Sequence, residues 1–241
     1  ETIVAFTSWD FISANPWAKL PGLPWTVVAG FAILLAHKLS GKNLAIFAAI
    51  TMIYISAFGQ WKPSMQTLSF VLVAAPISFI LGLGFGIWAY KSKKVENILN
   101  PLLNVAQTMP HYSYLIPIMV LFGIGDHAGA IATIIFATPP MVRLTVLGLR
   151  KVSPEVIEAG KMSGCNDYQL LSEVLIPTAR RDILIGVNQV IMQCLAMAVI
   201  ASFIGAKGLG WNLLLALNQL RIGLALEAGI CITLIAVLLD K

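Results

Sequence analysis

The side chains best suited to chemistry in this sequence are concentrated between Ser153 and Pro177, which reads SPEVIEAGKMSGCNDYQLLSEVLIP. This polar segment stands between long apolar stretches. Its acidic, basic and hydroxyl groups suit noncovalent recognition of another protein, with the Glu158 carboxylate beside the small residues Ala159 and Gly160. Small residues let a second surface approach the helix backbone closely. The alternative is an ordinary cytoplasmic loop that happens to be helical.

Histidine and cysteine do not form a catalytic or metal-binding pattern. The two residue types share no ligand spacing, and there is no C-x-x-C pair. An intramembrane enzyme would need a nucleophile with a base, or a metal constellation, and the histidines have no acid at useful spacing. We therefore expect no metal, no catalytic residues and buried cysteines at these positions: His37, His111, His127, Cys165, Cys194 and Cys231.

The composition defines the class of protein that must position the polar segment. Hydrophobic residues make up 58% of the 241 residues and charged residues 11%. Soluble domains carry about 45–50% apolar and about 25% charged residues. The sequence therefore predicts an all-α polytopic membrane protein, and its composition gives no support for a soluble catalytic domain. The net charge of +5 is clustered in short groups, which indicates membrane topology rather than nucleic-acid binding.

Seven stretches are long and apolar enough, or nearly so, to be spanning helices of about 20 residues. Prolines in the fourth and fifth stretches predict bent, buried helices. We expect two N-terminal transmembrane helices over 23–61 and a core of five over 62–241. The predicted spans are Leu23–His37, Leu44–Trp61, Thr67–Tyr90, Val105–Phe122, Ala128–Leu149, Ile183–Ile204 and Ile222–Leu239.

Lysine and arginine clusters set the predicted orientation, because cytoplasmic loops are enriched in these residues. With seven spans, three clusters fall on one side, which places the N-terminus outside and the C-terminus inside. Residues 1–22 then form an outer segment, Gly205–Arg221 a short outer helix or re-entrant piece, and 150–182 a cytoplasmic loop. The clusters comprise Lys38, Lys42, Lys91, Lys93, Lys94, Arg150, Lys151, Lys161, Arg180 and Arg181.

Within the cytoplasmic loop the sequence predicts two short helices joined by a glycine turn. Ser153 suits an N-cap, and a helix over Pro154–Ser163 begins with proline at its first position. Gly164 can adopt the left-handed conformation that ends a helix. Asn166–Gln169 has the spacing of a capping box at the start of a second helix over Asp167–Ile176.

This loop resembles the EAA loop of ABC importer permeases, which reads Glu-Ala-Ala, three residues, Gly, nine residues, Ile-x-Leu-Pro. Gly160 stands for the second alanine, and Val-Leu-Ile-Pro stands for Ile-x-Leu-Pro. The likeness extends from Val95 to Leu239, through NPLLNVAQTMPHYSYLIPIMVLFGIGD and GVNQVIMQCLAMAVIASFIGAKGLG, which resemble the glycine betaine/proline betaine permease subfamily. The matching loop positions are Glu158, Ala159, Gly160, Gly164, Val174, Ile176 and Pro177.

The resemblance implies a type I ABC importer permease fold and a set of partners. These are a second permease copy, a cytoplasmic ATPase and an extracytoplasmic substrate-binding protein in a bacterial plasma (inner) membrane. The sequence contains no G-x-x-x-x-G-K-[ST], so ATP and magnesium would bind the partner, and we expect no cofactor here. The residues expected to dock the ATPase are Glu155, Glu158, Ala159, Gly160, Met162, Ser163, Gly164 and Pro177.

The implied cargo is a quaternary ammonium or methylated amine: glycine betaine, proline betaine, choline, carnitine or trimethylamine N-oxide. Its expected path uses polar or soft residues, although hydrogen bonding between helices is the favoured account of Asn188 and Gln189, and packing is the commoner role of methionine and tyrosine. A secondary transporter driven by an ion gradient is the alternative, but the central predicted spans lack a mid-membrane acid. The candidate path residues are Gln107, Met109, Tyr112, Asn188, Gln189, Met192 and Gln193.

Overall fold

The computed structural model describes residues 25–240, which form helices joined by short connections. The all-α prediction is confirmed. The predicted outer segment 1–22 and the first two residues of the first predicted span lie outside the described residues. The α-helices are α1 Trp25–Ser40, α2 Lys42–Ala57, α3 Trp61–Lys91, α4 Lys93–Thr108, α5 His111–Phe122, α6 Asp126–Arg150, α7 Pro154–Met162, α8 Asp167–Gln169, α9 Ile176–Thr178, α10 Arg180–Ile200, α11 Leu209–Asn218 and α12 Ile222–Asp240.

Among the described residues, four helical stretches are long and apolar enough to cross a membrane. They are Trp61–Lys91, Asp126–Arg150, Arg180–Ile204 and Ile222–Asp240. The two N-terminal predicted spans are helices of 16 residues each, α1 and α2. The segment after Gly205 contains the short helix α11, as the sequence predicts.

The prediction of one bent helix over Val105–Phe122 is wrong. Helix α4 ends at Thr108, and α5 begins three residues later at His111. Met109 has φ −67° and ψ 134°, which is extended backbone. Pro110 explains the break, because proline disfavours the helical conformation of the residue before it and has no N–H to donate.

The chain divides into two compact units, of which the first comprises the described residues 25–70 and 205–240. In this unit α11 begins against the start of α3. The Leu209 N–H donates to the Thr67 hydroxyl at 2.9 Å. Gly208 has φ +137°, and a Cβ there would lie 2.6 Å from Thr67 Oγ1. Glycine is therefore required where the two helices meet.

The second unit is Val71–Ile204, and glycines bring its helices close together. A Cβ on Gly82 would lie 2.5 Å from Met141 Cβ, and one on Gly86 would lie 2.6 Å from Thr145 Cβ. The residue numbers of the contacting pairs increase in the same direction on the two helices, so α3 and α6 run parallel. Their last residues, Lys91 and Arg150, therefore lie on the same side, as the charge clusters predict.

Helix α10 packs antiparallel to α6 in the same unit. Gly186 of α10 faces Met141, where a Cβ on the glycine would lie 2.7 Å from the sulfur, and Gly148 of α6 faces Asp182. A buried cluster that includes Phe136 of α6 and Met197 of α10 continues this contact. The segment between α6 and α10 must therefore turn back, so that it forms a hairpin with its two ends adjacent.

Candidate functional site

The first helix of this hairpin, α7, begins and ends close to where the sequence predicts. Ser153 occupies the N-cap position and Pro154 the first turn, with Glu155 also in the first turn. A carboxylate there interacts favourably with the helix dipole. The expected capping role of the Ser153 side chain is wrong, because it forms no capping hydrogen bond. Its extended backbone alone starts the helix.

Gly164 ends α7 in the left-handed conformation, with φ +83°. The Gly164 N–H donates to the Lys161 carbonyl at 3.0 Å, and the Cys165 N–H donates to the Gly160 carbonyl at 3.2 Å. This pair of bonds is the Schellman motif, which satisfies carbonyls at the helix end. The predicted glycine turn is confirmed.

The second helix of the hairpin begins with the predicted capping box. The Gln169 N–H donates to Asn166 Oδ1 at 2.8 Å, and the Asn166 N–H donates to Gln169 Oε1 at 3.0 Å. The prediction that this helix ends at Ile176 is wrong. A π-helical turn, Leu170–Leu175, follows α8, and α9 then carries Pro177 near its start, where a proline needs no hydrogen bond.

The two helices of the hairpin pack on each other through Gly160. This residue is buried, and a Cβ there would lie 2.8 Å from Leu170 Cδ1 and 3.3 Å from Val174 Cγ2. The close packing of Leu170 and Val174 therefore explains why glycine stands in place of the second alanine of an EAA loop. Gly160 is the member of the predicted docking set that faces inward.

The remaining predicted docking residues are exposed on the hairpin. Met162 of α7 is 89% exposed, and Tyr168 of α8 is 74% exposed. Methionine and tyrosine are both enriched at protein interfaces. This face has the properties of a binding surface. Its exposed predicted residues are Glu155, Glu158, Ala159, Met162, Ser163, Gly164 and Pro177.

The two ends of the hairpin, which we call its neck, are joined to each other by one ion pair and to α4 by another, and the sequence did not reveal either. Lys151 Nζ lies 2.8 Å from Asp182 Oδ1. Arg150 pairs with Glu96 of α4, and Lys93 Nζ lies 3.1 Å from Glu96 Oε2. The sequence alone assigns these basic residues to membrane topology. Nothing in the spacing of 96, 150 and 182 could have paired them.

Glu96 is 7% exposed, so its charge depends on these partners. The hydrogen bond from Lys93 lowers the pKa of Glu96 below its ordinary value of 4.5, and the hydrogen bond and charge of Arg150 act in the same direction. Burial opposes them by disfavouring the carboxylate. The neck therefore holds an ionised glutamate near neutral pH.

A second feature that sequence reasoning missed is the support of the break between α4 and α5. Pro110 lacks the N–H that would reach the carbonyl of Ala106, four residues earlier. The Tyr114 hydroxyl donates to that carbonyl instead. The Tyr114 ring is buried and meets Phe136 of α6 edge-on, with ring centroids 5.6 Å apart. The break is thus held by a side chain of the following helix.

The predicted path residues lie on three helices of the second unit and on the break. Tyr112 is 52% exposed, and its ring meets Phe203 edge-on at 5.2 Å between centroids. Nothing tests a passage along these residues, so the path stays a prediction. Gln107, Met109, Gln189 and Met192 are exposed, whereas Asn188 and Gln193 are half-buried.

Among residues 25–240, no three histidine, cysteine, aspartate or glutamate side chains lie together as metal ligands. The buried thiols are Cys194 and Cys231. The hairpin, with its exposed face and paired neck, is therefore the arrangement from which a function can be argued. Its geometry supports binding of a macromolecule.

This fold is that of an ABC transporter permease. The inward-facing MetNI methionine ABC transporter is similar, with a TM-score of 0.67 and 19% identity over 74% of this chain and 90% of the MetNI chain. The chain belongs to the family described as the binding-protein-dependent transport system inner membrane component, which matches residues 76–240.

Two relatives narrow the comparison. The trimethylamine N-oxide transport system permease protein TmoV of Pelagibacter ubique is 71% identical over all of this chain. The chain spans 34% of that protein, about a third of its length. The glycine betaine transport system permease protein OpuAB of Bacillus subtilis is 41% identical over 92% of this chain and 78% of its own length.

Proposed function

We propose that this chain is the membrane-spanning permease part of an ATP-driven importer for trimethylamine N-oxide. The observation that carries this proposal is the exposed hairpin between α6 and α10 in a chain of this family. Such a surface gives a separate ATPase a place to bind. The chain then performs no hydrolysis itself, and ATP with magnesium belongs to the partner.

The hairpin is suited to this role because hydrogen bonds within it hold its turn and the start of its second helix. Its turn is closed by the Gly164 and Cys165 hydrogen bonds, and its second helix begins with a capping box. A preorganised surface loses less conformational entropy on binding. Met162 and Tyr168 supply apolar contact, with Glu158 as a charged neighbour.

Trimethylamine N-oxide is the proposed cargo because the relative with 71% identity is a permease for that solute. Glycine betaine is the second candidate, favoured by the relative OpuAB. The proposed path runs past the break between α4 and α5 and along α10, where the candidate residues named above include exposed polar and aromatic side chains. Aromatic faces attract methylated cationic groups without strong hydrogen bonding.

The proposed assembly contains two permease copies, two ATPase subunits on the hairpin side and a substrate-binding protein on the opposite side. In this proposal the hairpin and the C-terminus lie in the cytoplasm and the N-terminus lies outside. Lys91 and Arg150, which lie on the hairpin side of the second unit, support this orientation through the enrichment of basic residues in cytoplasmic loops.

The test is uptake of radiolabelled trimethylamine N-oxide into proteoliposomes that contain the full permease, its ATPase and its binding protein. We expect uptake to require ATP on the hairpin side and to continue when ionophores collapse ion gradients. Uptake that ignores ATP but stops with ionophores would identify the secondary transporter. ATP-driven uptake of glycine betaine alone would correct only the cargo.

The docking role is tested by reversing one exposed charge. Glu158→Lys is expected to reduce ATPase binding and uptake by at least about fivefold, as for an interface residue worth more than about 1 kcal/mol. Glu173→Lys is the matched control, because it makes the same charge change at an exposed position of the hairpin outside the predicted set. Equal losses in the two variants would contradict docking through α7.

A further inference from the structure

The neck of the hairpin joins three helices through two consecutive residues. Arg150, the last residue of α6, pairs with Glu96 of α4. Lys151, the next residue, pairs with Asp182 in the first turn of α10 at 2.8 Å. Both acids are largely buried, with side chains 9% and 19% exposed. Ion pairs with a sheltered partner are screened less by solvent than those on an open surface.

The same place is closely packed. A Cβ on Gly148 would lie 2.8 Å from Asp182 Cβ and 3.4 Å from Ala179 Cβ, so α6 and the start of α10 touch directly. Leu149 is 0% exposed and Ala179 is 2% exposed. The neck is therefore a fixed joint, whereas the opposite end of the hairpin carries the exposed Met162 and Tyr168.

Force applied at the exposed end can reach the spans through this joint. The hairpin between them is stiffened by the Schellman motif, the capping box and the packing of Gly160 against Leu170. A rigid element can pass a displacement to its neighbours when specific contacts at its attachment point move with it or break. Lys151–Asp182 and Arg150–Glu96 are such contacts on α10 and α4, respectively.

We propose that these two ion pairs form the coupling joint of the permease, and that Asp182 and Glu96 are positioning residues for transport. They link movement of the hairpin to movement of α4, α6 and α10. This inference rests on the proposed function, since it assigns the neck a role in using the work of an ATPase. Loss of a pair would let the ATPase bind and hydrolyse ATP while the spans fail to follow.

The experiment measures uptake and ATP hydrolysis together in proteoliposomes with the complete transporter. The variants are Lys151→Asp, Asp182→Lys and the double exchange that restores the pair in reverse. Asp182→Asn provides a conservative variant that keeps the side-chain shape. Lys94→Asp, at an exposed lysine of α4, is the control for the charge change.

We expect each single change at the neck to lower uptake per ATP hydrolysed by at least about fivefold, the low end of couplings between sites. Hydrolysis and ATPase binding should stay within about twofold, as for independent sites. The double exchange should recover more than half of the lost ratio, and Lys94→Asp should keep the wild-type ratio. Recovery of the uptake-to-hydrolysis ratio in the double exchange would show that the single variants lost the ion pair rather than the fold.

Wild-type coupling ratios in the single variants would overturn the inference. So would a double exchange that recovers nothing, or an equal loss in Lys94→Asp. Parallel losses of hydrolysis and uptake in all neck variants would reduce the pairs to structural supports. A wild-type transporter that shows no ATP-driven uptake would instead overturn the proposed function. This result differs from failure of the inference because it is seen without any variant.

Discussion

The hairpin between α6 and α10 and the break between α4 and α5 both interrupt the helices, but different interactions stabilise them. In the hairpin, Gly164 and Cys165 bond to carbonyls three and five residues earlier, and Asn166 exchanges bonds with Gln169. In the break, the Tyr114 hydroxyl of α5 supports the Ala106 carbonyl of α4. One turn is specified locally, and the other depends on a ring packed against α6.

This difference separates the expected roles of the two regions. The hairpin turn can keep its shape while its exposed face binds and releases a partner. The break changes when packing around Phe136 changes, because Tyr114 rests on that ring. The neck lies where the hairpin joins α6 and α10. Its ion pairs connect residues that are far apart in the sequence, so it depends on tertiary packing as the break does.

The largest stability effect is expected at the break. Tyr114→Phe keeps the ring but removes the donor to the Ala106 carbonyl, which should cost about 1–2 kcal/mol. Thermal unfolding of the detergent-purified permease, followed by circular dichroism, measures the loss. Tyr112→Phe is the matched control, because Tyr112 is half-exposed. Equal unfolding midpoints for the two variants would show that the break does not depend on this bond.

The next effect is expected at the hairpin turn. Gly164→Ala places a side chain at φ +83°, which costs about 1 kcal/mol for an L-residue. Limited proteolysis of the hairpin, together with the same unfolding measurement, reports it. Gly84→Ala is the control within α3, where nothing lies within 4 Å of the new Cβ and alanine should stabilise the helix. A hairpin that resists proteolysis as well as wild type would contradict the local account.

A smaller effect is expected at the neck on acidification. Glu96 has a pKa below 4.5 in the folded protein, so its pairs stabilise the fold above that ordinary value. The stability is lost as pH falls through the lower folded pKa. Partial exposure of Arg150 and Lys93 limits its size. Unfolding midpoints between about pH 7 and about pH 4 should fall less in Glu96→Gln than in wild type. Identical pH profiles for Glu96→Gln and wild type would show that this carboxylate does not contribute to the pH dependence of stability.

The smallest effect is expected inside the hairpin. Gly160→Ala gains helix propensity, while its Cβ pushes the end of the Leu170 side chain and meets Val174. Because the propensity gain is only about 1 kcal/mol and the contacts oppose it, the net change should stay under about 0.5 kcal/mol. Gly160→Leu should destabilise clearly, since it adds volume to a closed contact. If thermal unfolding shows that leucine is tolerated as well as alanine, the packing account of Gly160 is wrong.

Features that depend on neighbouring residues could be predicted from the sequence. The glycine turn at Gly164 and the capping box at Asn166 follow from conformational preference and hydrogen-bonding groups within a few residues. The long apolar stretches predicted most of the helices for the same reason, whereas the single helix over Val105–Phe122 was wrong. These predictions needed no knowledge of what packs against what.

Features that join distant parts of the chain were decided by the tertiary structure alone. The sequence contained Glu96, Arg150 and Asp182, but only the packing of α4, α6 and α10 brings them together. The inward direction of Gly160 depends on the π-helical turn that carries Leu170 onto it. The physical reason is that propensity and capping are local energies, whereas the neighbour of a side chain across the bundle is set by how whole helices pack.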